Sequence, residues 1–290
     1  MPDPAANPWT SRRVLTYAHQ AGAWEAPSST LFALRHALAI GATGIELDVH
    51  ATADGHLVVC HDRTVDRTTN GQGAIAAMTL AEVRALDNAY WFVPGRDERD
   101  DLEPDAYPYR GRAPDDPDFR VATLEEILEV LDDHPQVALN LDIKQTAPAV
   151  AAYEQELARV VMDHGNTDRV IVASFLDHAT DAFTRFAPGI ATSAGTAAVA
   201  LFWRAVHTGE PLPPVAHVAL QVPAFQGDLT VVDEAFIDAA HRAGLAVHVW
   251  TVNDEAEMAR LLGLGVDGII TDVPTPLVKL VAERGLTYLP

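Results

Sequence analysis

Cysteine is nearly missing from this chain: Cys60 is the only one in 290 residues. That excludes an intrachain disulfide framework and a cysteine-rich metal site, so any metal held here needs oxygen or imidazole ligands. Basic residues are also scarce, with 20 Lys and Arg against 41 Asp and Glu and a formal net charge of −21. This balance argues against a polyanionic partner such as nucleic acid and against an electrostatic membrane anchor. An anionic substrate would have to find its positive charge locally. No apolar run reaches membrane-spanning length, and the opening MPDPAANPWTSRRVLTYAHQ lacks the basic end and apolar core of a signal peptide. The expectation is a soluble, cytoplasmic protein with no integral membrane segment.

With 48% hydrophobic residues and a mean hydropathy of +0.03, the chain can bury a sizeable core. Short apolar runs alternate with amphipathic stretches almost to the end. Strands are expected at 14–19, 44–50, 137–144, 169–175, 190–195, 217–222, 246–252 and 267–272. Helical patterns fall at 29–41, 123–134, 149–165, 176–187, 231–244, 253–265 and 275–285. Thr123 with Glu126 reads as a capping box, and Gly165 and Gly244 read as stops. Eight strand–helix units point to a (β/α)₈ barrel with its active site at the C-terminal ends of the strands. A doubly wound sheet is the alternative, but no Gly-rich phosphate fingerprint marks one. The chain thus reads as a single domain over 1–290.

The count of eight requires LVVCHD (57–62) to lie outside the barrel. Asp54-Gly55 reads as a two-residue hairpin turn, which folds this segment antiparallel onto the second strand and pairs Asp48 with His61. The stretch from about 51 to 118 is then an insertion after the second barrel strand. It holds one helical piece at 79–86 and a Pro- and Asp-rich excursion at 94–118 over the barrel mouth.

The chemistry gathers on two strands. In GIELDVH (44–50), Glu46 and Asp48 leave one face at i and i+2. Carboxylates inside a barrel are costly unless something positive joins them, and a hard divalent cation such as Ca²⁺ or Mg²⁺ wants oxygens grouped this way. His50 shares the face at a rim position. VALNLDIK (137–144) repeats the device, so Asp142 can complete a three-carboxylate site and Lys144 can supply a fixed charge for a phosphoryl oxygen. His19 closes the first strand, and with His61 it makes a pair able to donate one proton and accept another. Trp250 on the strand expected at 246–252 is expected in the pocket wall. Tyr90-Trp91-Phe92 and Leu201-Phe202-Trp203 lie where they could reach the barrel mouth.

These residues carry a resemblance. HQAGAWEAPSST (19–30), GATGIELDVHATADGHLVVCHD (41–62), RTTNGQG (67–73), NLDIK (140–144), VASF (172–175), WTVN (250–253) and GVDGIITDVP (265–274) occur in an order and spacing that resemble the glycerophosphodiester phosphodiesterases. The resemblance implies a TIM barrel with an insertion after the second strand. It implies a divalent cation on Glu46, Asp48 and Asp142, with Mg²⁺ or Ca²⁺ ahead of Mn²⁺. It also implies acid–base roles for His19 and His61, phosphate contact by Lys144, and a small phosphodiester or lysophospholipid as substrate. The chain departs from the family pattern in three places. Gln20 and Ala21 stand for the usual Arg-Gly, and Gln20 can hydrogen-bond a phosphoryl oxygen without adding charge. Ser28-Ser29-Thr30 stands for Glu-Asn-Thr, with Glu25 a candidate for the missing acid. Asp142 stands for a Glu. A second reading follows from these losses: a barrel that binds glycerophosphodiester or phosphate groups without turnover.

Overall fold

The computed structural model describes residues 7–11, 14–144, 153–165 and 167–288. Eleven strands occur among them: β1 (Leu15–His19), β2 (Gly44–Ala51), β3 (Leu57–Val59), β4 (Ala138–Ile143), β5 (Val170–Ala173), β6 (Ala191–Ala194), β7 (Ala219–Pro223), β8 (Phe225–Gln226), β9 (Leu229–Thr230), β10 (Ala246–Trp250) and β11 (Gly268–Thr271). The α-helices are α1 (Pro8–Ser11), α2 (Leu31–Ala39), α3 (Leu80–Arg84), α4 (Leu124–Asp132), α5 (Tyr153–His164), α6 (Asp177–Phe186), α7 (Thr196–Thr208), α8 (Glu234–Arg242), α9 (Glu255–Leu264) and α10 (Pro274–Glu283).

Eight of the strands are parallel and close on themselves in the order β1-β2-β4-β5-β6-β7-β10-β11, with β1 pairing both β2 and β11. This is a (β/α)₈ TIM barrel, with α2 and the helices from α4 onward in the outer ring and α3 in the insertion. Every residue of β2 is buried, because a parallel strand of this fold is covered on both faces. Its odd residues Ile45, Leu47 and Val49 pack outward with Leu139, Leu141 and Ile143 against α2, α4 and α5. Its even residues Glu46, Asp48 and His50 take the opposite face. Lower in the barrel, Leu15, Tyr17, Ala138, Ile171, Ala219 and Ala246 form an apolar plug. Gly44 gives that plug its room, since a Cβ there would run into the Tyr17 ring. Helix ends match their signals: Thr79 and Thr123 form capping boxes with Glu82 and Glu126. Gly244 follows α8 with φ +75°.

The fold differs from the sequence reading in three places. The β2–β3 pairing is antiparallel as expected, but its register is one residue off: Val49 faces Val59, Ala51 faces Leu57, and the Cys60 amide bonds the Asp48 carbonyl at 3.0 Å. The connection is a five-residue loop, Thr52–His56, rather than a two-residue turn. Thr52 closes it, donating its amide to the His56 carbonyl at 2.9 Å and its hydroxyl to Asp54 at 2.6 Å. Asp54 also caps the amide of Leu80, so it serves two segments at once. Second, Thr196–Thr208 is a helix that the periodicity did not mark, because AAVALFW is apolar on every face. Third, the aromatics of the insertion and of α7 do not line the mouth. Tyr90, Trp91 and Tyr107 surround the Arg110 guanidinium, Phe92 packs on Tyr109, Phe202 on Phe236, and Trp203 stacks on His207. The first residues of the helix expected at 149–165 lie outside the described residues.

Candidate active site

The strand register brings the ionisable residues into layers. His19 lies beside Glu46 and Glu46 beside Asn140, while Asp48 lies beside Asp142 one step further along. Side-chain oxygens of Glu46, Asp48 and Asp142 come within 4.8 Å of one another, and all three residues are buried. Asp48 is 0% exposed. Lys144 Nζ lies 3.0 Å from Asp48 and 2.8 Å from Asp142, and 5.1 Å from the centre of the Phe175 ring.

This cluster carries more negative charge than one ammonium offsets. Burial, followed by the charge of Asp48, pushes the Glu46 carboxyl up to about 8. Burial also raises Asp142, to about 6, against the pull of Lys144. Lys144 itself is raised, because Asp48 and Asp142 together outweigh the burial that opposes its charge. Asp48 Oδ2, Asp142 Oδ1 and Asn140 Oδ1 are buried without a hydrogen-bond partner. Orphaned buried oxygens of this kind are costly, and a small hard cation that takes several oxygen ligands would satisfy them. The donor set therefore fits a divalent cation.

The two histidines meet above the acids. Their ring centres are 5.9 Å apart at an interplanar angle of 82°. Each is held at Nδ1 by a carboxylate: His19 by Asp272 at 2.6 Å and His61 by Asp62 at 2.8 Å. With Nδ1 bound to a carboxylate, Nε2 is the nitrogen left for chemistry. Burial lowers the proton affinity of His19, but Glu46 at 3.8 Å and Asp272 more than reverse this and raise it to about 9. His61 reaches the site despite the shifted register because it lies beyond the end of β3, where Asp62, itself tied to Arg67 by a 2.8 Å bond, sets its direction. Asp62 is driven far below the usual carboxylate range, first by its bond to His61 and then by Arg67.

A cavity of about 400 Å³ opens over this constellation. It is lined by His19, Glu46, His61, Asp142 and Lys144 together with the apolar Phe175, Val199, Pro223 and Trp250. Trp250 and Phe175 meet edge to face at 5.3 Å. Below them a buried polar chain crosses the barrel: Asn140 donates to Gln221 at 3.1 Å, and Gln221 lies 3.4 Å from His248, a histidine that burial keeps neutral by lowering it to about 3.

Two residues of the first loop have partners of their own. Gln20 is 5% exposed and takes φ +49°, with its side-chain amide nitrogen 3.4 Å from His19 Nε2 and its backbone N–H donating to Glu46 at 3.2 Å. Its side chain thus lies beside the imidazole nitrogen left for chemistry. Glu25 does not replace the acid missing at position 28, since it is committed to His36 at 3.2 Å and to the start of α10 through Thr275. His50 is buried on the expected face, but its Nε2 is turned to the His61 carbonyl at 3.3 Å and away from the acid cluster.

Known proteins similar to this chain share one family. The model of the glycerophosphoryl diester phosphodiesterase family matches residues 19–275, a span that includes every residue of the cluster. The chain belongs to this family. It is 30% identical to a glycerophosphodiester phosphodiesterase of Caldanaerobacter subterraneus subsp. tengcongensis, over 94% of this chain and 100% of that protein. Among solved structures, the glycerophosphoryl diester phosphodiesterase domain of a Mycobacterium tuberculosis protein superposes with a TM-score of 0.76, covering 92% of this chain and 99% of that one at 21% identity. A phosphodiesterase of Oleispira antarctica in complex with its product sn-glycerol-3-phosphate superposes at 0.71, covering 93% and 97% at 24% identity. Membership makes the chain an enzyme of the phosphoric diester hydrolase class, acting on glycerophosphodiesters.

Sequence reasoning missed Asp272, Gln221 and Phe175 in the site. Asp272 ends the last strand motif and Phe175 ends VASF, so the only signal for either was its place at the C-terminal end of a barrel strand.

Proposed function

We propose that this protein cleaves glycerophosphodiesters to a phosphomonoester such as glycerol 3-phosphate and an alcohol, by acid–base chemistry between His19 and His61. The observation that carries the proposal is the opposed pair of imidazoles, each pinned at Nδ1 by its own carboxylate, above a buried three-acid cluster. One histidine takes the proton of the attacking oxygen while the other gives a proton to the departing alkoxide. Lys144, which also lines the cavity, balances charge on the equatorial phosphoryl oxygens. Glu46, Asp48 and Asp142 would hold the divalent cation, Mg²⁺ or Ca²⁺ ahead of Mn²⁺, which when bound polarises the phosphoryl group as a Lewis acid.

The apolar wall of Phe175, Val199 and Trp250 supports a substrate with an apolar part next to its phosphodiester, as in a lysophospholipid. We infer one domain over the whole chain, with the insertion at about 51–118 serving the site through His61.

The test is hydrolysis by protein stripped with chelator and resupplied in turn with Mg²⁺, Ca²⁺ or Mn²⁺. Glycerophosphocholine and lysophosphatidylcholine are the substrates, and phosphomonoester release is followed. Cation-dependent release from glycerophosphocholine is expected. Binding of the diester with no turnover under any cation would favour the binding-only barrel.

A further inference from the structure

His61 stands on irregular backbone just past the end of β3, so strand pairing does not orient its ring. A chain of charged side chains does. Asp62 Oδ1 meets His61 Nδ1 at 2.8 Å, and Arg67 Nε donates to Asp62 Oδ2 at 2.8 Å. The far end of the Arg67 guanidinium, Nη1, donates to Glu98 Oε2, and Glu98 Oε1 accepts the Ser28 hydroxyl at 2.9 Å. Exposure runs opposite to what a surface ion pair would show. The Asp62 and Arg67 side chains are 33% and 31% exposed, but Glu98 at the outer end is 5% exposed. The fixed point of the chain is therefore Glu98.

Glu98 belongs to the Pro- and Asp-rich part of the insertion, and the insertion is fastened to the loop after β1 at Trp24 and at Ser28. Gly95 donates to the Trp24 carbonyl at 2.7 Å, the Trp24 indole donates to Asp97 at 2.8 Å, and Asn88 donates to the Ser28 carbonyl at 3.1 Å. A guanidinium carries a planar fork, so fixing Nη1 on Glu98 fixes which edge faces Asp62. Without that anchor Arg67 regains rotamer freedom, and Asp62 and the imidazole lose their reference.

We propose that Glu98 is a positioning residue for His61, acting through Arg67 and Asp62, and that it supplies from the insertion a carboxylate that position 28 does not provide. The inference rests on the acid–base role of His61 proposed above. It makes a reciprocal prediction, because Ser28 Oγ lies within hydrogen-bond distance of the Glu98 carboxylate. A glutamate at position 28 would project into the space that carboxylate fills. With Glu98 present, two carboxylates would crowd one guanidinium; with Glu98 removed, the new one would take over.

The experiment measures kcat, KM and Tm on cation-restored protein with glycerophosphocholine for Glu98→Ala, Ser28→Glu, the Ser28→Glu/Glu98→Ala double variant and His61→Ala. Glu98→Ala is expected to lose about 10- to 100-fold in kcat with KM within about twofold of the parent, as for a misplaced reacting group. Ser28→Glu alone falls as well, and the double variant recovers most of the loss. The imidazole ¹⁵N shifts of His61 report a single Nδ1–H tautomer in the parent and a mixture in Glu98→Ala. If Glu98→Ala does not fold, Glu98→Gln keeps the shape and removes the charge, and it should show a smaller loss in kcat at unchanged KM. Parental kcat in Glu98→Ala, or no recovery in the double variant, overturns the proposal while leaving His61 essential. Activity retained in His61→Ala overturns both this proposal and the acid–base reading beneath it.

Discussion

Adding a divalent cation to the chelated protein should stabilise it, and by more as the pH rises. The reason lies in the charges of the cluster. Glu46 is raised from 4.5 to about 8, Asp142 from 3.8 to about 6, and His19 from 6.5 to about 9. In each case the native state holds a proton that the unfolded chain has released between the two values, so stability falls with rising pH. For the carboxyls the loss runs from about 4 to 8. For His19 the contribution is complete below 6.5 and gone above about 9. The metal-free protein should therefore melt progressively lower from pH 6 to pH 9. A cation binds the ionised carboxylates and must displace their protons at low pH, so its benefit grows over the same range. At a concentration of about 100 Kd it adds about 2.7 kcal/mol. With an unfolding entropy of about 2.1 cal/mol/K per residue, this chain changes by about 0.6 kcal/mol per degree, which gives a rise of about 4–5 °C. Scanning calorimetry at pH 6, 7.5 and 8.5, with chelator or with each cation, measures it. A metal-free Tm that climbs with pH, or the same cation shift in Asp48→Asn as in the parent, would refute the reasoning.

Three further outcomes are expected. Lys144→Ala strands the buried Asp48 and Asp142 carboxylates, so in chelator it should lose about 3 kcal/mol, and with cation its kcat/KM should fall by about 10²–10³; melting and steady-state kinetics read the two effects separately. Phe175→Ala removes half-exposed apolar wall, so Tm should hardly move while KM for lysophosphatidylcholine rises about tenfold and KM for glycerophosphocholine stays near its parental value. Gly44→Ala drives a methyl into the Tyr17 ring in the barrel plug and should cost about 1–3 kcal/mol by denaturant titration, with kcat unaffected once folded.

Much of the barrel was legible because its strands are short, apolar and evenly spaced, and because carboxylates at i and i+2 in an otherwise buried strand have few bland explanations. The period-2 pattern put Glu46 with Asp48 and Asp142 with Lys144 on single strand faces, and the barrel reading together with the family resemblance joined the two strands into one site. What failed did so for local reasons. The Asp-Gly pair suggested a tight turn, but Thr52 and Asp54 side chains hold a wider loop and move the register by one. Helix α7 is apolar around its circumference, so periodicity had no contrast to detect. Glu98 lay in a stretch crowded with acids, where nothing in the sequence separates a buried anchor from its solvated neighbours. Its partner Arg67 is 31 residues distant, and only the docking of the insertion onto Trp24 and Ser28 joins them.

The most direct test of the account is the turnover of His19→Ala, His61→Ala and the double variant on glycerophosphocholine, each restored with the cation that serves the parent best. If the two imidazoles act as one proton-transfer unit, each single variant should lose about 10²–10⁴ in kcat, and the double should be scarcely worse than the poorer single. Cation-dependent turnover within about tenfold of the parent in either single variant would contradict the account, since a residue removable at that cost does not carry the proton.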